Sequence, residues 1–491
     1  MSTDAFEHHL TSPQGHRRFP NRATTVDVDG GACCDRIQFA VSVDGDRVTD
    51  AGFDANGCGA TTAAGSAAVT LARSNTILEV AKIGAPQIAQ ELGGLSPGKL
   101  HAAELAADAL ARALGAAIRN HGTVPAPPTG TRTLVAMSGG VDSTVAAMVA
   151  ARTTEAVAVT LELWADHEND AERSCCSSSA VAQARSLAHS IGLPHFTVDL
   201  KPEFRQGVVN PFIAGYKQGE TPNPCVRCNG HVRLDAMLEF ADRLGATTLA
   251  TGHYARIAER DDDHGPLLRQ AADAGKDQTY MLAALRPESL ARMWFPLGEL
   301  LKTQVRALAA EAELRVAEKP DSQDLCFLAG TDRGRFLARH GGVNKQPGEI
   351  VGTDGSPLGR HAGQHLFTVG QRRGLGVSSA GVPLFVLDKH ADTNRVVVGP
   401  REALRTDRVT VRAARLHRDV SRVDRVKLRY RSEPIPARAA AGGDDERARL
   451  TIQLDTPVDG AAPGQLACLL DGDVVVGWGT IDRARGATSD A

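Results

Sequence analysis

The chain has 491 residues, about three domains at roughly 150 residues each and more than one hydrophobic core normally holds. Lys and Arg total 55 against 58 Asp and Glu, a formal net charge of −3, which excludes a histone-like coat for nucleic acid and leaves any polyanion partner to a local patch. Apolar residues at 42 % and charged residues at 23 % exclude a disordered chain. No apolar run approaches the ~18 residues of a membrane helix, and the opening MSTDAFEHHLTSPQGHRRF lacks the apolar core of a signal peptide. The expectation is a cytoplasmic protein with no membrane partner. Nine cysteines in such a chain are expected to be reduced, metal-binding or catalytic rather than bridged.

In chain order, residues 1–122 read as an α+β domain. IQFAVSVDG and DRVTDAGFDANG alternate around an Asp-Gly turn and are predicted to pair as strands. Residues 100–118, LHAAELAADALARALGAAI, repeat apolar residues at helical spacing and predict an amphipathic helix closing that domain. HGTVPAPPTGT at 121–131, with three prolines and two glycines, marks a linker placed at 123–130. From 131 to 330, TLVAM, AVAVTLELW, HFTVDL and TTLATG read as strands between the Ala-rich helices STVAAMVAARTT and AVAQARSLAHSIG, the alternation of an α/β parallel sheet covered on both faces. Beyond about residue 345 come GEIVGTDGSPLG, RVVVGP, RLTIQLD and DVVVGWGTID, short strands with Gly-rich turns that suggest small β or barrel modules. Residues 401–450 hold 14 basic against 8 acidic side chains, either a surface for a phosphate backbone or a solvated β face with incidental arginines.

TLVAM runs into Ser138-Gly139-Gly140-Val141-Asp142-Ser143, with a helix predicted from Ser143 or Thr144. Two glycines let backbone N–H groups approach an anion, hydroxyls add donors, and the helix start adds partial positive charge. The loop is neither a Walker loop nor a dinucleotide fingerprint. SGGVDS resembles the PP-loop of the ATP pyrophosphatases, which adenylate a carbonyl oxygen and release pyrophosphate. The resemblance implies that Ala136, Met137, Ser138, Gly139, Gly140, Val141, Asp142, Ser143, Leu161 and Gly252 contact ATP, with Mg²⁺ offsetting the Asp142 carboxylate.

Further on stand ETPNPCVRCN (220–229), ATGHYAR (250–256), GKDQTYML (275–282), KPDSQDLCF (319–327), HAGQHLFTVGQRRGLG (361–376), LRYR (428–431) and PGQLACLLDG (463–472). Their content and order resemble the signature segments of the tRNA-specific 2-thiouridylase (MnmA) family. That resemblance implies a PP-loop catalytic domain at 131–330, a small central domain at 331–400 and a C-terminal β-barrel at 401–491 that contacts tRNA. It implies ATP-dependent adenylation of the C2 oxygen of the wobble uridine, which turns a poor leaving group into AMP, followed by sulfur insertion to give 2-thiouridine. Asn223, Pro224, His253, Lys276, Asp277, Gln278, Arg429, Tyr430 and Gln465 match positions the family uses near tRNA. Cys228 matches its nucleophile and Cys326 the cysteine that carries persulfide sulfur.

One position departs from the family pattern: Cys225 stands where Asp is usual. Cys225, Cys228 and Cys326 supply three thiolates, enough for a four-iron, four-sulfur cluster with one iron open to sulfide. The alternatives are a metal-free persulfide relay on Cys228 and Cys326, or a zinc half-site or buried thiols. Cys175, Cys176 and Cys468 read as packing residues.

In the first domain, GGACCDRIQF, FDANGCGATTAAGS and LSPGKLHAAELAADAL resemble the IscU/NifU family of iron–sulfur scaffold proteins. Cys33, Asp35, Cys58 and His101 match its ligand positions and form a set that zinc or iron accepts. Ala102 stands where the third cysteine should be, and Cys34 replaces a turn glycine as a candidate substitute thiol. The alternative is a degenerate domain that serves as a docking surface. Either way the fusion implies sulfur or cluster supply, with a cysteine desulfurase or other sulfur donor as partner. The rival functions are another PP-loop adenylating enzyme, such as a lysidine synthetase or amide-forming ligase, which has no need of Cys228 and Cys326, and an iron–sulfur carrier whose PP-loop half has lost catalysis.

Overall fold

The structure is a computed structural model that describes residues 3–30, 34–166, 177–258, 264–321, 325–377, 382–441 and 449–483. Cys33, Cys175 and Cys176 lie outside the described residues. Among the described residues no helix is long and apolar enough to cross a membrane. The chain divides into two compact units: Met1–Lys201 with Asp235–His253 and Arg292–Phe327, and Pro202–Leu234 with Tyr254–Ala291 and Leu328–Ala491.

The first unit holds two sheets. Thr24–Gly30, Asp35–Asp44 and Arg47–Asn56 form an antiparallel meander, and the expected hairpin turns at Gly45, whose φ of +57° is one that residues with a side chain seldom adopt. Alternation puts Ile37, Phe39, Val41, Ala51 and Phe53 on one fully buried face. The helix Gly59–Ala72 packs there, so close that a Cβ on Gly65 would lie 2.4 Å from the Phe53 ring. The predicted amphipathic helix extends over Leu100–Asn120, its alanines and leucines buried.

The second sheet is parallel, in the order Met293–Trp294, Thr248–Thr251, Arg132–Ala136, Glu155–Glu162, His195–Asp199. Arg132–Ala136 is buried along its whole length, as a central strand covered on both faces must be. The helix after it starts at Val141, not at Ser143 or Thr144 as predicted, with Gly140 as its N-cap. Asp142 is favoured in a first turn by the helix dipole, and the Ser143 hydroxyl donates back to the Gly140 carbonyl at 3.1 Å, so neither residue has to stand outside the helix. The proline-rich stretch expected as a linker is pinned: the Val124 N–H donates to Arg243 O at 2.7 Å, and Arg132 donates to Pro125 O at 2.7 Å.

The second unit also holds two sheets. One has the order Pro357–His361, Gly348–Val351, Arg395–Gly399, Phe385–His390, packed around Ile350, Phe367, Val386, Val396 and Val398. The other follows Arg405–Leu416, Arg449–Asp459, Ile435–Ala441, Arg425–Lys427, Leu466–Asp471 and Val474–Ile481, and the last strand pairs back onto the first. Closure makes a six-stranded barrel without open edges, filled by Val409, Val411, Val426, Leu450, Ile452, Leu469, Val476 and Ile481. The hairpin Arg256–Ala258 and Leu267–Arg269 extends this sheet from Val474–Ile481.

Candidate functional site

In the first unit, residues 136–143 leave the C-terminal end of the central strand. Its neighbours, Glu155–Glu162 and Thr248–Thr251, flank it on opposite sides, which is where open parallel sheets bind ligands. Ala136 and Met137 are buried, and the Met137 N–H donates to Val159 O at 2.8 Å. The Ser143 hydroxyl accepts from the Ser138 N–H at 3.2 Å, folding the loop onto the helix start. Gly139 has φ +71° and lies against the Ala180 carbonyl, 3.1 Å from where a Cβ would sit. Gly252 belongs with them: a Cβ there would come within 2.7 Å of Ser143 N and 2.8 Å of the Asp142 carbonyl carbon. Leu161 lies two residues beyond Val159, the register partner of Ala136. The structure thus gathers the residues that the resemblance assigned to ATP.

Three residues not assigned from the sequence complete this loop. Lys302, buried, bridges both oxygens of Asp142 at 2.6 and 2.7 Å and Asp321 at 2.9 Å. Lys319 reaches the Gly139 carbonyl at 3.2 Å and Gln183 at 2.8 Å. The Asp142 charge expected to face Mg²⁺ is therefore met by an ammonium. Lys319 and Asp321 belong to KPDSQDLCF, a visible signal, whereas Lys302 sits in an ordinary helix, Lys302–Glu311, and has none. Cys326, half-buried, follows in the same segment, and the next residue, Phe327, meets Trp164 edge-on at 6.5 Å. His253 is bonded through Nδ1 to the Thr251 hydroxyl at 2.8 Å.

In the second unit, Asn223 caps the helix Pro224–Cys228, its Oδ1 accepting from the N–H groups of Cys225 at 3.1 Å and Val226 at 3.3 Å. Pro224 occupies the first helical position, where an N–H is dispensable. Cys225, half-buried, and Cys228, buried, stand one turn apart, so both thiols share one side of the helix. A π-turn, Asn229–Arg233, follows at once, a feature frequent at functional sites. Tyr280 donates to Leu466 O at 2.9 Å and is bonded to Asn223; burial pushes its hydroxyl pKa up, which keeps it a donor. Gln465 donates to the Thr221 carbonyl, fixing the entry to the cysteine helix.

Asp277, expected near tRNA, is instead turned inward. It accepts from the N–H of Ala271 at 3.2 Å and the Thr279 hydroxyl at 2.8 Å, and pairs with buried Lys427 at 3.3 Å. A carboxylate so enclosed shapes its loop, while half-buried Lys276 and Gln278 remain at the surface. Gln278 accepts from the Tyr254 N–H at 3.0 Å and bonds Tyr430. Arg429 is exposed and donates to Asp459 O at 3.2 Å and Gly460 O at 3.0 Å. Cys468 is enclosed, and burial pushes its thiol up to about 12, in keeping with a packing residue.

A third constellation lies in the first unit. The ligand atoms of Asp35, Cys58 and His101 fall within 4.8 Å of one another. Asp35 accepts from the Thr61 hydroxyl and, at 3.3 Å, from the Cys58 N–H; the Thr61 hydroxyl does most to hold its carboxyl below the usual range. His101 Nδ1 faces the Gly98 carbonyl at 3.0 Å, which fixes its proton there and leaves Nε2 as a ligand. Cys58 is the N-cap of the helix Gly59–Ala72. A Cβ on Gly57 would collide with Asp35 Oδ1 at 2.5 Å. Ala102 is fully buried and Cys34 is exposed at φ +53°. Carboxylate, thiolate and imidazole fit zinc or iron.

Four family profiles match: NifU-like N terminal domain over residues 3–121, tRNA methyl transferase HUP domain over 131–330, tRNA methyl transferase PRC-barrel domain over 334–400, and Aminomethyltransferase beta-barrel domain over 405–481. The bifunctional protein NifU/MnmA of Rubrobacter xylanophilus is 42 % identical over 489 residues, 97 % of each chain. The tRNA-specific 2-thiouridylases MnmA of Rhodospirillum centenum and Geobacter metallireducens are 42 % and 40 % identical, covering 73 % and 72 % of this chain and 93 % and 97 % of theirs.

Proposed function

For a chain that belongs to the bifunctional NifU/MnmA family and is a tRNA uridine 2-sulfurtransferase, we propose how its residues divide the reaction. The loop of residues 138–143 cradles the ATP phosphates on backbone N–H groups and the helix start. ATP would arrive as its magnesium complex, beside the Asp142 and Asp321 carboxylates that Lys302 holds. The C2 oxygen of the uridine, having lost the N3 proton, attacks the α-phosphorus; pyrophosphate leaves and O2 carries AMP. A persulfide on Cys326, loaded by a sulfur donor, attacks C2 through its outer sulfur and AMP departs with both electrons. The Cys228 thiolate then attacks the Cys326 sulfur, releasing 2-thiouridine and leaving a disulfide that an external thiol reduces.

Cys225 favours a second arrangement. With Cys228 one turn away it forms a two-thiolate edge, and together with Cys326 the pair would hold a four-iron cluster. Such a cluster would supply an open iron that binds sulfide. Asp35, Cys58 and His101 would hold zinc or iron in the NifU-like domain, which we assign to sulfur supply by docking a cysteine desulfurase. Lys276, Gln278, Arg429 and the other exposed arginines of residues 401–441 would contact tRNA phosphates.

The intact loop at the sheet's switch point, with Gly252 moulded against it, carries the proposal. The test is ATP–pyrophosphate exchange dependent on unmodified tRNA, with 2-thiouridine measured by nucleoside mass spectrometry. Exchange without tRNA dependence would overturn the proposed order. Iron in anaerobically purified protein that disappears in Cys225→Ala together with thiolation supports the cluster; full thiolation by iron-free Cys225→Ala supports the relay.

A further inference from the structure

The NifU-like domain is held against the catalytic sheet by more than its covalent link. The helix Leu100–Asn120 lies along the outermost strand, His195–Asp199, and covers an edge that would otherwise expose unpaired backbone groups. The approach is close enough that a Cβ on Gly115 would lie 2.1 Å from the Thr197 carbonyl oxygen. Backbone and side chains also join across it: the His195 N–H donates to Ala81 O at 2.9 Å, His189 Nε2 meets the same carbonyl at 3.0 Å, and Arg119 donates to Asp199 O at 2.7 Å.

At the centre is a buried charge network. Asp108 pairs with Arg112 on its own helix at 2.7 Å and with Arg185 of the helix Ser178–Ser190 at 2.5 Å. Arg112 reaches Glu162, which also binds Lys201 at 3.1 Å. Arg185 and Glu162 each leave only 7 % of the side chain exposed. Burial alone would raise the Asp108 carboxyl, but the Arg185 and Arg112 guanidiniums outweigh it and hold the carboxyl low. Ions so enclosed are tolerated only while each keeps its partner, so the two domains need each other.

The same helix Ser178–Ser190 walls the phosphate loop. Its Ala180 carbonyl and Ala184 N–H stand against Gly139, and its Gln183 holds Lys319, which itself bonds Gly139 O. We propose that the NifU-like domain is a fixed buttress of the adenylating site: Asp108 acts as a positioning residue that fixes Arg185 and thereby the helix against which the phosphate loop is set. This rests on the reading of that loop as the ATP site.

The test uses the full chain with a specific protease site inserted between Pro128 and Thr129, in the exposed part of the connecting stretch. After cutting, the two fragments are expected to co-elute in gel filtration, and their separation would overturn the docking whatever the loop binds. In uncut protein, Asp108→Asn is expected to raise KM for ATP in pyrophosphate exchange on the order of tenfold, with KM for tRNA unchanged; an unaltered KM for ATP in the folded variant would overturn the positioning role. Should that variant not fold, hydrogen exchange on the unaltered chain decides: residues 178–190 and 100–120 are expected to open at one common rate, and faster independent opening of 178–190 would refute the coupling. Absence of exchange activity in the unaltered chain would fail the reading of the loop and leave co-elution to judge the docking.

Discussion

Replacing Lys302 by methionine keeps the side-chain volume and removes the ammonium between Asp142 and Asp321, which lie 2.6 and 2.9 Å from it. Lys302 exposes 10 % of its side chain and the two carboxylates 29 % and 25 %. Stripping one partner from a fully buried pair costs about 3–5 kcal/mol, and the partial exposure of both carboxylates lowers that to about 2–3 kcal/mol. The loss falls where the triphosphate must bind: Asp321 keeps Arg306 at 3.3 Å, but the carboxylate charge that Lys302 balanced at Asp142 would then face an incoming polyanion. At about 1.4 kcal/mol per decade, kcat/KM for ATP should fall by roughly 30- to 150-fold. ATP–pyrophosphate exchange measured beside a thermal melt separates this from unfolding, and Lys302→Arg should recover part of the rate because it keeps the charge. A folded Lys302→Met protein whose kcat/KM stays within about threefold of the parent would refute the view that this lysine balances the loop.

Cys326→Ser should abolish thiolation while tRNA-dependent pyrophosphate exchange persists, because the thiol acts after adenylation; loss of exchange too would place Cys326 in nucleotide or tRNA binding. Gly252→Ala forces a methyl to within 2.7 Å of Ser143 N, an overpacking that should cost about 1–3 kcal/mol and weaken ATP use; a parental melting temperature and KM would contradict the close approach. Burial lowers Lys389 from 10.5 to about 7, so between those values the unfolded chain binds a proton that the folded one does not, and stability should rise with pH across that window. Below about pH 7 both states are protonated and the penalty is fully felt. Lys389→Met should flatten the rise in thermal melts from pH 7 to 10, and an unchanged slope would show that the ammonium is better solvated than its burial implies.

Local code made much of this molecule legible. Two glycines between a strand and a helix announce a phosphate loop, and an Ala- and Leu-rich period announces the helix Leu100–Asn120. Position along the chain carries no such information about distant partners. Asp277 reads as an exposed loop carboxylate until Lys427, 150 residues away, meets it in the interior. Lys302 reads as one more helical lysine until the fold brings it to Asp142, 160 residues distant. The Ala102 substitution was readable, but its consequence needed the structure: the methyl is sealed in the core, and Asp35, Cys58 and His101 are left to face one another.

The order of strands in the parallel sheet bears on how the chain is made. Synthesis delivers the NifU-like helix first, then the central strand Arg132–Ala136, then Glu155–Glu162 and His195–Asp199 outward to the edge that helix already waits to cover. The strands on the other side, Thr248–Thr251 and Met293–Trp294, arrive only after long excursions into the second unit. Half of the sheet can therefore assemble on the ribosome while the rest is unmade, with its outer edge shielded from neighbouring nascent chains during the slow wait for its sequence-distant partners.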